Sequence, residues 1–143
     1  MKIPIEISAR HAHFSQNDAD VLFGKGYKFN IFKALSQRKQ YAYEETVKLV
    51  GPRGEIDNVR FLGPCRPQTQ VEFSETDARK LGIEAAIRES GKLFGTPGVK
   101  LVGPKGEVDL KEGVIVALRH IHMNPETAKK LGVKNGDAVK VDI

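Results

Sequence analysis

The apolar positions of this chain fall in short alternating runs broken by Gly and Pro, and two of those runs are near copies. Val47-Lys48-Leu49-Val50-Gly51-Pro52-Arg53-Gly54-Glu55-Ile56-Asp57 returns as Val99-Lys100-Leu101-Val102-Gly103-Pro104-Lys105-Gly106-Glu107-Val108-Asp109. Each copy has an apolar strand, a Gly-Pro-Arg/Lys-Gly turn and a second alternating strand, the pattern of a β-hairpin. A second repeat runs His11-Ala12-His13-Phe14-Ser15 with Ala19 and Leu22, then His120-Ile121-His122-Met123-Asn124 with Ala128 and Leu131. Arg10 and Arg119 precede the two copies, and a middle copy reads Gln70-Val71-Glu72-Phe73-Ser74 with Ala78 and Leu81. In that alignment Glu72 stands where His13 and His122 stand.

This second repeat predicts strand, then N-cap, then short helix. Ser15, Ser74 and Asn124 can accept hydrogen bonds from the free N–H groups of a first helical turn. Glu75, Asp77 and Glu126 place negative charge where the helix dipole favours it. Gly82 and Gly132 end the helices, since a left-handed C-cap costs glycine little. Lys134-Asn135-Gly136-Asp137 and Val139-Lys140-Val141 predict a further turn and strand, and Met1-Lys2-Ile3-Pro4-Ile5 also reads as strand. The expected fold is mainly β, with two small β-barrels and short helices. Residues 1–86 are expected to form the first barrel half, 87–98 a linker rich in Gly and charge, and 99–143 the second half, incomplete at its C-terminal end.

Composition narrows the function more than the fold. With 143 residues, 40% hydrophobic and 29% charged, the chain can bury a real core and does not read as disordered. No apolar run approaches membrane-span length, and no signal or transit peptide precedes the first strand pattern, so the expected location is the cytoplasm. A single cysteine, Cys65, excludes an internal disulfide and a Cys-based structural zinc site. Its expected role is a small buried residue, because no histidine neighbours it in sequence. A net charge of +5 favours an anionic partner, yet 23 basic residues face 18 acidic ones without a dense basic stripe. Nucleic acid is therefore not the expected partner.

The candidate chemistry lies in the histidines. The chain has four, and all four fall in two His-x-His pairs at matching positions of a repeat, His11 with His13 and His120 with His122. In a strand, residues i and i+2 share a face about 7 Å apart, so two imidazoles can converge on one ion or join two neighbouring ions. Imidazole suits zinc, copper, iron and nickel, and an added carboxylate favours zinc or a similar divalent ion. Glu72 supplies that carboxylate if the repeats pack about a shared axis. Arg66, in Gly63-Pro64-Cys65-Arg66-Pro67, can grip a phosphate or carboxylate with two parallel hydrogen bonds.

Taken together these residues resemble the PduL-type phosphate acyltransferases, or phosphate propanoyltransferases. The similarity rests on Ser8-Ala9-Arg10-His11-Ala12-His13, Glu44-Glu45-Thr46-Val47 with Leu49-Val50-Gly51-Pro52, and Leu62-Gly63-Pro64-Cys65-Arg66-Pro67-Gln68-Thr69-Gln70-Val71-Glu72. It continues through Asp77-Ala78-Arg79-Lys80-Leu81-Gly82, Arg88-Glu89-Ser90-Gly91 and Arg119-His120-Ile121-His122-Met123. The resemblance implies interconversion of a short-chain acyl-CoA (propionyl-CoA or acetyl-CoA) plus phosphate with an acyl phosphate plus CoA, at two closely spaced zinc ions between paired barrels. It implies His11, His13, Glu72, His120 and His122 as metal ligands and Arg66 as the catalytic phosphate-holding residue. Ser8, Lys33, Arg60 and Leu62 are implied to line the coenzyme A site. The implied partners are acyl-CoA and inorganic phosphate, and a homo-oligomer is compatible with the resemblance. A further strand with one more metal-binding histidine is implied beyond this sequence, and no microcompartment-targeting extension is visible. Two rival readings stay open at this level: a different metal-dependent hydrolase on the same scaffold, and a non-catalytic swapped-hairpin module that binds nucleic acid.

Overall fold

A computed structural model describes residues 8–142; the strand-like pattern of residues 1–5 lies outside them. The chain is mainly β with short helices, as its alternation predicts. Among the described residues nine strands form a curled sheet in the order β6-β9-β5-β1-β4-β3-β7-β8, with β2 also paired to β3. They are β1 (His11–His13), β2 (Ile31–Ala34), β3 (Tyr41–Val50), β4 (Glu55–Gly63), β5 (Gln70–Glu72), β6 (Ile87–Arg88), β7 (Val99–Val102), β8 (Glu107–Leu110) and β9 (Val114–Ala117). Three helices, α1 (Gln16–Phe23), α2 (Glu75–Leu81) and α3 (Pro125–Leu131), follow the three copies of the second repeat. Pairing is continuous across the middle of the chain, since β3 joins β7 and β5 joins β9.

Local chemistry explains the element ends. Ser15, Ser74 and Asn124 each accept a backbone N–H from the third helical residue of their own helix, and Ser74 with Asp77 completes a capping box. Gly82 and Gly132 end α2 and α3 in the left-handed region, at φ 72° and 67°. The two hairpins form where the repeat places them, β3–β4 and β7–β8.

Their turns do more than reverse the chain. The Arg53 N–H donates to the Leu81 carbonyl at the end of α2, and the Lys105 N–H donates to the Leu22 carbonyl near the end of α1, both at 3.0 Å. Each turn thus satisfies a helix carbonyl that has no partner within the helix. The backbone approach is close enough that a Cβ on Gly51 would stand 2.3 Å from the Leu81 oxygen, and one on Gly103 would stand 2.5 Å from the Leu22 oxygen. The repeated Gly-Pro-x-Gly is therefore a docking surface for a helix end.

The core lies on the sheet face that carries Ala12, Leu49, Phe61 and Val71, all fully buried under α1 and α2. Phe61 is its hub, with ring centroids 4.6 Å from Phe14, 4.7 Å from Phe29 and 4.9 Å from Tyr43.

Two elements depart from expectation. Residues 120–122 and 139–141 form no strand, although both were expected to, and α3 buries none of its residues. Alternation yields a strand only where a sheet edge offers its N–H and C=O groups, and among the described residues none pairs with these segments. Val139 and Val141 accordingly stay exposed. The turn at 134–137 does form, closed by the Asp137 N–H on the Lys134 carbonyl at 3.1 Å.

Gly51→Ala and Gly103→Ala should each cost about 1–3 kcal/mol through overpacking against a helix carbonyl. Urea denaturation should show a lower midpoint with an unchanged slope, while Arg53→Ala stays within about 0.5 kcal/mol of the parent.

Candidate metal centre

Strand register builds the centre. β1 lies between β4, to which it is parallel, and β5, to which it is antiparallel, with His11 opposite both Arg60 and Glu72 and His13 opposite Gln70. Side chains alternate across a sheet, so Ala12, Phe61 and Val71 turn to the core while His11, His13, Glu72, Gln70, Arg60 and Leu62 turn to the other face. Three residues of alternating sequence, His-Ala-His, are enough to put small apolar volume inside and two imidazoles outside.

The His11 Nδ1–H donates to the Ala9 carbonyl at 2.8 Å and the His13 Nδ1–H to the Leu62 carbonyl at 3.0 Å. A carbonyl can only accept, so each Nδ1 carries a proton, and Nε2 is the ring nitrogen left to take a metal ion when the ring is neutral. Those nitrogens face Glu72, with His11 Nε2 at 3.4 Å from Oε2 and His13 Nε2 at 3.9 Å from Oε1. The three potential ligand atoms all lie within 4.8 Å of one another. Lone pairs converging in this way repel unless a cation lies among them, and two nitrogens with one oxygen are a donor set that suits zinc. The residues present fit a divalent ion.

The second pair repeats the arrangement without the strand. The His120 Nδ1–H donates to the Leu118 carbonyl at 2.7 Å, two residues back as in His11, and His120 Nε2 stands 3.0 Å from His122 Nε2. Two nitrogens each about 2.0–2.1 Å from one ion stand about 3 Å apart, so this pair also has the spacing of a chelate.

Electrostatics follow from burial and from these neighbours. Burial, together with Arg66 and His11, lowers His13 to about 3, and Glu72 and the Leu62 hydrogen bond only partly oppose them. Burial pushes the Glu72 carboxyl up, but the His11 contact, the charges of His11 and His13, and the Gln70 hydrogen bond together hold it near 2. Burial and His120 lower His122, with Glu72 opposing. The Arg66 guanidinium, half-buried, is lowered by burial and supported by Glu72. At neutral pH the face therefore presents an uncharged His13 imidazole beside the Glu72 carboxylate and the Arg66 guanidinium.

The other expected site residues fall in two groups. Arg60 and Leu62 share the site face of β4, and Lys33 stands in the same cross-strand row as Leu62 through Ala42. The Arg60 guanidinium lies 4.7 Å above the Phe32 ring and donates to the Tyr43 carbonyl at 2.6 Å. Ser8 is exposed just ahead of β1, its hydroxyl 3.4 Å from the Ala9 carbonyl. Cys65 is half-buried against the core, and burial raises its thiol pKa.

Sequence reasoning missed three neighbours. The Gln70 amide bonds Glu72, the Ser90 hydroxyl bonds Arg66, and Asp77 forms a 2.9 Å ion pair with Arg10 beside β1. The segment 87–98, read as a linker, reaches this centre through Ser90 and Gly91 and buries Leu93 and Thr96. Its Gly and charge content hid the two buried anchors.

The fold and the centre describe a mainly β protein with paired histidine clusters and an adjacent guanidinium. The sequence profile of the family described as Phosphate propanoyltransferase matches residues 4–143. A relative from Thermotoga maritima named Phosphate propanoyltransferase is 52% identical over 97% of this chain and 66% of its own length. Relatives of the same name from Salmonella typhimurium and Leptotrichia buccalis are 55% and 54% identical, over 99% and 97% of this chain and 67% and 66% of their own lengths. The chain belongs to the phosphate propanoyltransferase family. It spans about two thirds of the length of the relatives it matches. No helix among the described residues is long and apolar enough to cross a membrane.

In the metal-free chain, acid should weaken folding. His13 falls from 6.5 to about 3 in the folded state, and Glu72 from 4.5 to about 2. The unfolded chain therefore binds these protons first, so the stability from His13 is fully present above pH 6.5 and lost as pH falls toward 3. The Glu72 contribution is lost between pH 4.5 and 2. Denaturation midpoints measured across this range should fall below pH 6.5, and His13→Gln should flatten the upper part of the curve.

Proposed function

We propose that this chain carries the site of a phosphate acyltransferase, interconverting a short-chain acyl-CoA and phosphate with an acyl phosphate and free CoA. Propionyl-CoA or acetyl-CoA is the acyl donor. The observation that carries this reading is the convergence of two imidazole nitrogens on Glu72 with the Arg66 guanidinium beside them. Membership of the family supports it.

In this reading His11, His13 and Glu72 hold one zinc ion, and His120 with His122 hold a second. Bound zinc would supply Lewis acidity toward a carbonyl or phosphate oxygen. The chain's own groups do the rest. Arg66 binds inorganic phosphate and neutralises the charge that would oppose its approach to the thioester carbon. A phosphate oxygen forms a bond to the acyl carbon, the carbon–sulfur bond breaks, and the sulfur leaves with the electron pair as CoA thiolate. Arg60, Lys33 and Ser8 meet the anionic and polar parts of coenzyme A, and Leu62 its apolar arm. The Arg60–Phe32 stack pre-orders that side. Because phosphate is itself the nucleophile, no acyl-enzyme intermediate is required. The two halves of the chain, 1–86 and 99–143, contribute one histidine pair each, and the reaction belongs in the cytoplasm.

Release of free CoA thiol from propionyl-CoA or acetyl-CoA should require phosphate and stop when a chelator is added. Release without phosphate would favour the hydrolase reading, and chelator-insensitive release would remove the metal from the reaction. His122→Ala should abolish turnover and lower bound zinc. Arg66→Ala should reduce phosphate-dependent kcat/KM by about 10²–10³-fold with zinc content unchanged.

A further inference from the structure

Gln70 is one of the most deeply buried polar side chains in the molecule, 1% exposed, and every hydrogen-bonding site of its amide that the centre needs is taken. Its Nε2 donates to Glu72 Oε1 at 2.5 Å and to Ser90 Oγ at 2.9 Å, while its Oε1 accepts the Gly91 N–H at 2.8 Å. The amide has one possible orientation. Gly91 N–H can only donate and the Glu72 carboxylate can only accept, so a flipped amide would set oxygen against oxygen and N–H against N–H. Ser90 Oγ also accepts from Arg66 Nη1 at 3.1 Å. A single chain of hydrogen bonds therefore runs Glu72–Gln70–Ser90–Arg66.

We propose that Gln70 is a positioning residue that joins the carboxylate of the metal centre to the guanidinium of the phosphate site. Holding Glu72 Oε1 leaves Oε2 aimed at His11, which sets the plane of the carboxylate toward the imidazole nitrogens. Holding Ser90 sets the place of the Arg66 fork relative to that carboxylate. Partners of this kind around a metal ligand are worth about 10–100-fold in metal affinity. In the sheet, Gln70 is opposite His13, so the strand pairing that places the histidines also places the amide. The inference rests on the metal-site reading proposed above.

The test compares zinc affinity, by competition with a chromophoric chelator, with phosphate KM and kcat for the full chain and three variants. Gln70→Met keeps the volume and removes every hydrogen bond. It should weaken zinc binding about 10–100-fold and raise phosphate KM, because both ends of the chain are released. Ser90→Ala cuts only the Arg66 end, so phosphate KM should rise while zinc affinity stays that of the parent. Gln70→Glu keeps the size and the acceptor for Gly91 but sets a second carboxyl against Glu72. It should alter zinc affinity without matching the KM change of Ser90→Ala, and it carries the test if Gln70→Met does not fold. Parental zinc affinity in a folded Gln70→Met or Gln70→Glu would overturn the proposal. An unmodified chain that binds no zinc would instead remove the reading on which it rests.

Discussion

The pairing of β1 between β4 and β5 is the constraint on which the rest of the site depends. It turns three residues, His-Ala-His, into a wall with Ala12 in the core and both imidazoles on the opposite face. The antiparallel side of that pairing brings Glu72 across from His11, and the parallel side brings the Leu62 carbonyl onto His13. A slip of one residue would send Ala12 to the site and both histidines into the core. Burying Ala12, Phe61 and Val71 on one face therefore fixes which nitrogen atoms are available on the other. The hydrogen bonds of the Nδ1 atoms finish the job by turning each Nε2 toward Glu72.

Stability and site share the same repeats. The hairpin turns at 51–54 and 103–106 close on the carbonyl ends of α2 and α1, and those helices begin immediately after the strands that carry Glu72 and the first histidine pair. A helix held at both ends, by its cap and by a turn, anchors the strand that precedes it. Arg10 adds to this by bonding Asp77 of α2, so β1 and the α2 cap are tied from the side of the site. The third copy has the cap and the glycine, but among the described residues no hairpin turn bonds its helix end, and its histidines lie outside the strands.

Much of this was legible because local chemistry repeats. Two Gly-Pro-x-Gly turns, three caps and two His-x-His pairs each carry their own physical signal, and the alignment of Glu72 with His13 singled out a carboxylate that the fold does bring against the first histidine pair. What could not be read depends on contacts distant in sequence. Gln70 meets Ser90 only because the 87–98 segment folds back over β5, and no local pattern marks a glutamine for that role. The strands expected at 120–122 and 139–141 fail for a related reason. Alternation encodes which face a strand would bury, but not whether a neighbour exists to receive its backbone hydrogen bonds. The turn glycines carried a clear turn signal, whereas their contact with helix carbonyls emerged only from the packing.

Zinc bound per chain, determined by elemental analysis after metal loading and gel filtration, tests the central claim most directly when the chain is compared with Glu72→Gln. Zinc is expected in the unmodified chain, held by nitrogen and oxygen donors at about 2.0–2.2 Å in zinc-edge absorption spectra, with a clear loss of zinc in Glu72→Gln. An unmodified chain that leaves the column free of zinc, or a Glu72→Gln variant that retains it fully, would contradict the account.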